Sequence, residues 1–256
     1  MSHSTQPTFA QIRSVFRLLG ELRELGNDRT AWRSRMVAGL CELLGARQGS
    51  VLGLEGFHPG GEMRLIDAVH GGWANPLAAS IWEGLLRSGE FKKDVLLIEA
   101  QQDPAIVAAK LRAELVPDEQ FYAAPLVREL LPMMEIDSHV LGWQRMPAGG
   151  EALGLTFHRE LGARAFSEKE RTLLRLFIEE LHLLRQAGKL GPTQVDAPRL
   201  SRREQQVLSR LLTGASVKET AGQLRLSART VEDYVKTLYR KHGVHSRGEL
   251  MARYVR

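Results

Sequence analysis

The apolar periodicity of this chain is interrupted most clearly at residues 186–200, which read QAGKLGPTQVDAPRL. Gly, Pro and small polar residues build no continuous apolar face, so this stretch predicts a linker and not a buried element. A length of 256 residues leaves room for a domain on each side of it. We therefore predict an amino-terminal domain over residues 1–185, a linker over 186–198, and a second domain over 199–256.

The charge is distributed unevenly between the two predicted domains. Residues 199–256 contain 13 Lys and Arg against 5 Asp and Glu, a balance of +8, whereas residues 1–198 contain 22 against 25, a balance of −3. All of the excess positive charge is therefore in the last fifth of the chain. This asymmetry is typical of a small nucleic-acid-binding unit joined to a near-neutral domain.

Three features predict a cytoplasmic protein with no membrane segment. The first residues, MSHSTQPT, lack the basic start and apolar core of a signal peptide. The sequence contains no run of about eighteen apolar residues. A single cysteine, Cys41, cannot form an intramolecular disulfide, which favours a reducing compartment. Because it lies in the apolar run GLCELLG, we interpret it as a small buried hydrophobic residue.

The amino-terminal domain is predicted to be α+β. The runs GSVLGLEGF and MRLIDAVHGG predict two strands joined by the turn HPGG, and SHVLGWQRM and EALGLTFHREL predict a second hairpin with the turn MPAGGE. Strands that arrive as hairpins favour an antiparallel sheet with helices on its faces over a doubly wound parallel sheet.

Helices are predicted before, between and after these hairpins. Asn27 or Asp28 is predicted to cap a helix that ends at Gly45. Asn75 and Asp103, each followed by proline, are predicted helix starts. A further helix is predicted over residues 118–131. The first helix of the chain has an apolar stripe at helical spacing, which comprises Ile12, Val15, Phe16, Leu19 and Leu22.

A capping box of Ser167 and Glu170 predicts the start of a long helix. Its apolar residues cover more than one stripe. A helix of this kind buries against two surfaces, here the sheet and a partner subunit, or lies deep within one domain. The residues concerned are Leu173, Leu174, Leu176, Phe177, Ile178, Leu181, Leu183 and Leu184.

The last domain contains start and stop signals for four helices, predicted over residues 202–212, 217–224, 228–242 and 247–254. The second and third are separated by three residues, which is helix-turn-helix spacing. The starts are two capping boxes, Ser201 with Glu204 and Ser246 with Glu249, and the N-cap residues Ser216 and Ser227, while Gly214 and Gly243 are predicted C-terminal caps.

Residues 200–250, LSRREQQVLSRLLTGASVKETAGQLRLSARTVEDYVKTLYRKHGVHSRGEL, resemble the LuxR-type helix-turn-helix of bacterial transcription regulators. The resemblance lies in RE, VL, Gly, KE with Ala two residues on, LS, TV, YRK and SRGEL, in the family's order and spacing. It implies a four-helix DNA-binding domain whose third helix enters the major groove. In three places the chain departs from the family: Thr220 replaces an aliphatic residue, Gly222 weakens its helix by roughly 1 kcal/mol, and Arg225 stands where left-handed geometry is common.

The third helix of this domain has two chemically different sides. Val231, Val235 and Leu238 follow an i, i+4, i+7 pattern and are predicted to pack against the other helices. The opposite side is polar and comprises Arg229, Glu232, Asp233, Lys236 and Arg240, with Tyr234 and Lys241 at its margins.

By the resemblance, Glu232, Asp233 and Lys236 match the family's base-reading positions. Lysine can donate to guanine and a carboxylate can accept from cytosine N4, each for roughly 1–3 kcal/mol of discrimination. The alternative is an i, i+4 pair of Glu232 with Lys236, worth about 0.2–0.5 kcal/mol. The residues that match or adjoin the family's backbone-contacting positions are Lys218, Ser227, Arg229, Thr230, Tyr234 and Arg240. Lys241, at the margin of the polar side, is also predicted to contact DNA.

The amino-terminal domain resembles a GAF-type sensory domain in its order of elements. The autoinducer-binding domains of quorum-sensing regulators are an alternative with similar architecture, but their Trp, Tyr and Asp cluster has no recognisable counterpart around Trp32, Trp73 or Trp82. A receiver domain is not favoured, because no predicted strand ends in paired carboxylates. We make no prediction of ligand-binding residues in this domain.

Nothing in the sequence indicates catalysis. The histidines are scattered, without the paired spacing of a metal site, and no Ser or Cys nucleophile has a readable base and orienting acid. We predict no catalytic residue, metal or cofactor. The residues considered were His58, His70, His139 and His158.

Together these features predict a transcription regulator, not an enzyme. Its predicted partners are double-stranded DNA, a second copy of the chain in a homodimer, and a small-molecule effector of unknown identity. Three alternatives remain: an enzyme or ligand-processing domain with a DNA-binding tail, an autoinducer-type receptor, and an amino-terminal domain that serves only as a dimerisation scaffold.

Overall fold

The computed structural model describes residues 6–26, 28–146, 151–189, 200–212, 214–242, 244 and 246–254. The chain forms two compact units, Met1–Pro192 and Thr193–Arg256, which we call the amino-terminal and carboxy-terminal units. Most of the predicted linker, residues 190–198, lies outside the described residues.

The amino-terminal unit is built on one antiparallel sheet of five strands in the order β2-β1-β5-β4-β3. Both predicted hairpins, β1–β2 and β4–β5, are confirmed, and with them the α+β fold class. The turn of the second hairpin, residues 147–150, lies outside the described residues. The strands are β1 Gln48–Glu55, β2 Arg64–Gly71, β3 Val107–Leu111, β4 Ile136–Gln144 and β5 Ala152–Glu160.

Helices cover both faces of the sheet. They are α1 Phe9–Glu24, α2 Arg29–Leu44, α3 Pro76–Ser88, α4 Val95–Gln102, α5 Arg112–Leu115, α6 Asp118–Ala123, α7 Pro125–Met134 and α8 Glu168–Gln186, with a 3-10 turn at Glu90–Lys93. Because successive strand side chains alternate between faces, Leu155 and Phe157 pack with α1, α2 and α8. Leu52 and Trp143 pack with α3, α4, α6 and α7. We call these the α8 face and the α7 face.

Local capping accounts for several helix boundaries. Asp28 begins α2, and its carboxylate accepts from two amides of the first turn at 3.0 and 3.1 Å. Asn27, the alternative cap, lies outside the described residues. The predicted stop at Gly45 is confirmed by its left-handed backbone, φ +59°. Asn75 begins α3 and accepts from Ala78 N at 2.8 Å.

The predicted helix start at Asp103 is wrong. Asp103 follows the end of α4, and its carboxylate accepts from Ala105 N at 2.8 Å in a turn that leads into β3. Asp94 caps α4 instead, accepting from Leu96 N at 2.9 Å. The next residues form a strand because β3 pairs along β4, from Val107 opposite Gln144 onward. Tertiary pairing thus overrides the helix-start signal of an Asp-Pro pair.

The predicted helix over residues 118–131 is two short helices. The division falls at Ala124, whose backbone is extended (φ −63°, ψ 133°) immediately before Pro125. Proline crowds the preceding residue out of the helical region, so α6 ends there and α7 begins.

The buried stripe of α1 differs from the prediction at one residue. Phe16, assigned to the buried stripe of α1, is 49% exposed, and Leu18 is buried in its place. The buried residues of α1 therefore follow an i, i+3, i+4, i+7 pattern from Val15 to Leu22. On α8, Leu174 and Phe177 are fully buried within the unit, whereas Leu183 is 57% exposed.

The carboxy-terminal unit has the four predicted helices, α9 Arg202–Leu212, α10 Val217–Leu224, α11 Ala228–His242 and α12 Arg247–Tyr254. They enclose a small apolar core that includes Val207, Leu211 and Val231. Gly214 is left-handed as predicted, φ +93°, and Gly243 lies outside the described residues.

The predicted caps of this unit form from serine and glutamate pairs. At α9 Ser201 N donates to Glu204, while Glu204 N donates back to Ser201. At α10 Glu219 N donates to Ser216 at 3.2 Å, and at α12 Glu249 N donates to Ser246 at 3.2 Å.

Candidate nucleic-acid interface

A three-residue turn, Arg225 to Ser227, joins α10 to α11. Arg225 has φ 55° and ψ 48°, the left-handed conformation expected at this position. Its amide donates to Gly222 O at 3.4 Å, and Leu226 N donates to Ala221 O at 2.9 Å, which closes the end of α10. The turn therefore redirects the chain at once into α11, as a helix-turn-helix requires.

The start of α11 is held by two hydroxyl side chains. Thr230 N donates to Ser227 Oγ at 3.1 Å, and the two hydroxyl oxygens lie 2.7 Å apart. A helix start capped in this way presents amide groups and the positive end of its dipole, which suits a phosphate oxygen.

The buried and exposed sides of α11 separate as the sequence predicts. Val231 and Leu238 are fully buried, and Val235 packs against the same core. Thr230 and Tyr234 are half-buried at the margin, and the side chain of Lys241 lies outside the described residues. The remaining predicted DNA-contacting residues are exposed: Lys218, Ser227, Arg229, Glu232, Asp233, Lys236 and Arg240.

The exposed side of α11 carries both signs of charge. Both Glu232 and Lys236 are among the described residues, and no ion pair joins their side chains. Their polar atoms are therefore available to an incoming ligand. A surface with unpaired acids and bases close together can match the mixed donor and acceptor pattern of the major groove.

Thr220, the departure from the family on α10, is fully buried, and its hydroxyl has no hydrogen-bond partner among the described residues. A buried unpartnered hydroxyl destabilises a fold. We expect Thr220→Val to raise the free energy of unfolding of the carboxy-terminal unit by about 1 kcal/mol. Amide hydrogen exchange of α9 and α11 in the full chain measures this.

The matched control for that change is Thr220→Ser, which keeps the hydroxyl and removes the methyl group. Serine is expected to speed exchange relative to the wild type, while valine slows it. Faster exchange with valine than with the wild-type threonine would show that the Thr220 hydroxyl has a partner, and unchanged exchange would contradict the expected gain in stability.

The interpretation of the histidines as scattered is wrong for two of them. His139 and His158 lie opposite each other on β4 and β5, with ring centroids 4.5 Å apart at an interplanar angle of 87°. Both side chains are buried on the α7 face. They are equally far along the chain from the centre of the turn MPAGGE, so the register of the hairpin could have revealed the pair.

Burial determines the charge of this pair. It lowers the pKa of His139 to about 4. Burial, and secondarily the neighbouring His139, lowers the pKa of His158 well below its ordinary value. Both rings are therefore neutral at neutral pH, and each has one donor and one acceptor nitrogen.

Other reactive or ligand-like groups are accounted for locally. His70 Nδ1 accepts from Trp73 Nε1 at 2.7 Å. Burial raises the pKa of the Cys41 thiol to about 11. Across the described ranges no group of three or more His, Cys, Asp or Glu is placed to hold a metal ion. Within the same ranges no helix is long and apolar enough to cross a membrane.

Residues 198–254 match the family of bacterial regulatory proteins described as the luxR family. Over 56 residues the chain is 39% identical to the probable HTH-type transcriptional regulator GfsR of Streptomyces halstedii. That match covers 22% of this chain and 23% of GfsR, so the chain spans less than a quarter of the length of this relative.

Solved structures resemble a larger part of the chain. Escherichia coli SdiA has 16% sequence identity and a TM-score of 0.47, with 95% of each chain covered. The phycoerythrobilin-bound GAF domain from a cyanobacterial phytochrome has 16% identity and a TM-score of 0.39, covering 69% of this chain and 95% of that domain.

Proposed function

We propose that this chain, which carries a LuxR-family helix-turn-helix domain at residues 198–254, is a transcription regulator that binds duplex DNA with α11 in the major groove. The observation that carries the proposal is the exposed polar side of α11, opposite its buried side and directly after a three-residue turn. The +8 balance of residues 199–256 supports attraction to a polyanion.

Two roles are proposed for the predicted DNA-contacting residues on and around α11. Glu232, Asp233 and Lys236 contact base edges, and thereby provide sequence discrimination. Residues around them contact the sugar-phosphate backbone and provide affinity. These are Lys218, Ser227, Arg229, Thr230, Tyr234, Arg240 and Lys241.

We further propose that the rest of the chain regulates DNA binding by this domain. Residues 1–185 form a sensory and dimerising domain, 186–198 a linker, and 199–256 the DNA-binding domain. The regulator acts as a homodimer in the cytoplasm and responds to a small-molecule effector. Exposed apolar side chains at Phe9, Phe16 and Leu183 offer contact area to a second copy. The domain is a sensor and not an enzyme, which turnover assays of the full chain test.

The assignment is tested by comparing two substitutions on one helix. Duplex fragments that bind are first selected from a random pool, and affinity is then measured by fluorescence anisotropy on a selected and a scrambled duplex. We expect Lys236→Ala to reduce the binding free energy for the selected duplex by about 1–3 kcal/mol and to leave that for the scrambled duplex unchanged. Arg229→Ala is expected to weaken both duplexes alike and to lower the salt slope by about 1.

Glu232→Ala is the third arm of the same experiment. A carboxylate near the duplex opposes sequence-independent binding, so its removal should tighten binding to the scrambled duplex. The difference in affinity between the selected and the scrambled duplex should become smaller. An unchanged affinity difference between the two duplexes would show that Glu232 has no base-reading role. Equal losses for Lys236→Ala and Arg229→Ala on both duplexes, or binding without salt dependence, would overturn the proposal.

A further inference from the structure

Two residues near the end of α10 are unfavourable choices for the local structure. Gly222 lies inside this helix, where glycine is among the least favourable residues. Arg225 follows the helix with a left-handed backbone, φ 55°, which glycine and asparagine adopt more readily than arginine. Residues that break a local rule without a gain for the fold are concentrated at functional sites. The surroundings of both residues therefore show whether they serve the fold or a ligand.

The packing around Gly222 does not require glycine. The residue is exposed within the helix, and a Cβ at this position would have no atom of the described chain within 4 Å. Gly39 on α2 is the opposite case, because a Cβ there would collide with the side chain of Leu18. Alanine would therefore fit at position 222 and would stabilise α10.

The side chain of Arg225 does not stabilise the fold either. It is exposed and makes no ion pair or side-chain hydrogen bond with the described residues. The backbone amide of Arg225 closes the helix by donating to Gly222 O at 3.4 Å, and any residue with an amide group could do the same. A cation is favourable near a helix C-terminus, but one within the last turn has this advantage without a left-handed backbone.

Both residues lie beside the surface proposed to bind DNA. In a helix-turn-helix the first helix crosses the DNA backbone and the second enters the major groove. Here the first helix is α10, and Arg225 precedes Ser227, the cap of α11, by two residues. Two residues span at most about 7 Å, which the long side chain of arginine can bridge. Exposed Lys218 lies near the other end of α10, so this helix carries a cation at each end.

We propose that Gly222 and Arg225 form a further contact with the sugar-phosphate backbone of DNA, which we call the α10 contact. The guanidinium of Arg225 binds phosphate oxygens, for which its planar set of donors is suited. Gly222, which has no side chain, lets the helix approach the strand closely. The inference rests on the proposed function, since it adds the end of a second helix to the surface that binds the duplex. Both residues thus lower the stability of the carboxy-terminal unit and raise its affinity for any DNA sequence.

Arg225→Gly tests the phosphate contact in the full chain. Anisotropy titrations use the selected and the scrambled duplex, and amide exchange of α9 and α11 is measured without DNA. We expect about tenfold weaker binding to both duplexes and a salt slope lower by about 1. Exchange is expected to slow about threefold, because glycine adopts the left-handed backbone without strain. Arg225→Lys keeps the charge and is expected to keep the wild-type salt slope and most of the affinity.

Gly222→Ala tests the close approach of the helix. The added methyl group is expected to weaken binding to both duplexes about threefold and to slow amide exchange about fivefold. Thr220→Val is the matched control, because Thr220 is fully buried on the same helix. This control is expected to slow exchange while both duplexes bind with wild-type affinity. It therefore separates a contact with DNA from an effect of stability on binding.

The remaining outcomes would contradict the α10 contact. Wild-type affinity of Arg225→Gly, or faster exchange in that variant, would assign Arg225 to the fold. Equal losses of affinity for Thr220→Val and Gly222→Ala would show that stability, and not contact, determines binding. If Arg229→Ala weakens both duplexes and Arg225→Gly weakens neither, the α10 contact fails and the proposed function stands. A wild-type chain that binds neither duplex would overturn both.

Discussion

Replacing Arg145 with methionine is expected to lower the free energy of unfolding of the amino-terminal unit by about 3–5 kcal/mol, because several buried carbonyls lose their donor at about 1–3 kcal/mol each. Arg145 follows β4 and is 8% exposed. Its guanidinium donates to Phe57 O at 2.7 Å, to Ala100 O at 2.9 Å, and to the carbonyls of Gln101, Asp103 and Ala105.

The measurement is urea unfolding of the full chain followed by tryptophan fluorescence. All four tryptophans lie within Met1–Pro192, so the signal reports this unit alone. Arg175→Met is the matched control, since Arg175 is exposed on α8 and pairs with Glu179 one turn away. It is expected to change stability little. Equal effects of the two substitutions would mean that the carbonyls find other donors.

Replacing Glu170 with alanine is expected to lower the free energy of unfolding of the amino-terminal unit by about 3–5 kcal/mol, because it leaves the Arg159 guanidinium buried without its carboxylate partner. Glu170 is 4% exposed at the start of α8. It contacts Arg159 Nη2 at 3.3 Å, pairs with Arg164, and accepts from Ser167 N at 2.8 Å. The same fluorescence measurement applies. Glu170→Gln keeps the shape of the helix cap, and its loss of stability is expected to be smaller than that of Glu170→Ala.

The pH dependence of that contribution has a definite sign. Burial raises the pKa of Glu170, but hydrogen bonds from Arg164 and Ser167 lower this pKa by a larger amount. The resulting pKa is about 2, compared with an ordinary value of 4.5. A depressed carboxyl pKa stabilises the fold above the unfolded-state value, and this stability is lost as pH falls from about 4.5 towards 2. The stability difference between wild type and Glu170→Gln should therefore shrink over that range. A difference independent of pH would rule out a charged Glu170.

The carboxy-terminal unit was predictable from sequence because its signals are local. Each of its helices begins at a serine cap, and Arg225 adopts the left-handed geometry expected between the second and third. The i, i+4, i+7 stripe of α11 from Val231 to Leu238 then determines which residues face outward. Which exposed residues touch DNA stays a prediction, because exposure does not identify a ligand.

The parts of the amino-terminal unit that were missed depend on distant partners. The strand β3 forms because it pairs with β4, although Asp103 and Pro104 before it are a sequence signal for the start of a helix. The pair of His139 and His158 arises from hairpin register, which single-residue spacing does not show. Phe16 is exposed because the packing of α1 selects Leu18 instead.

Adjacent residues of β5 contact opposite faces of the sheet. His158 points to the α7 face, where its ring contacts that of His139. Arg159, one residue later, points to the α8 face and holds Leu44 O at the end of α2 and Glu170 at the start of α8. Because neighbouring residues of a paired strand are held in one register, we expect a shift of β5 to disturb the contacts of His158 and of Arg159 together. We therefore expect a change of packing on the α7 face to alter the position of α8, the last described helix before the carboxy-terminal unit.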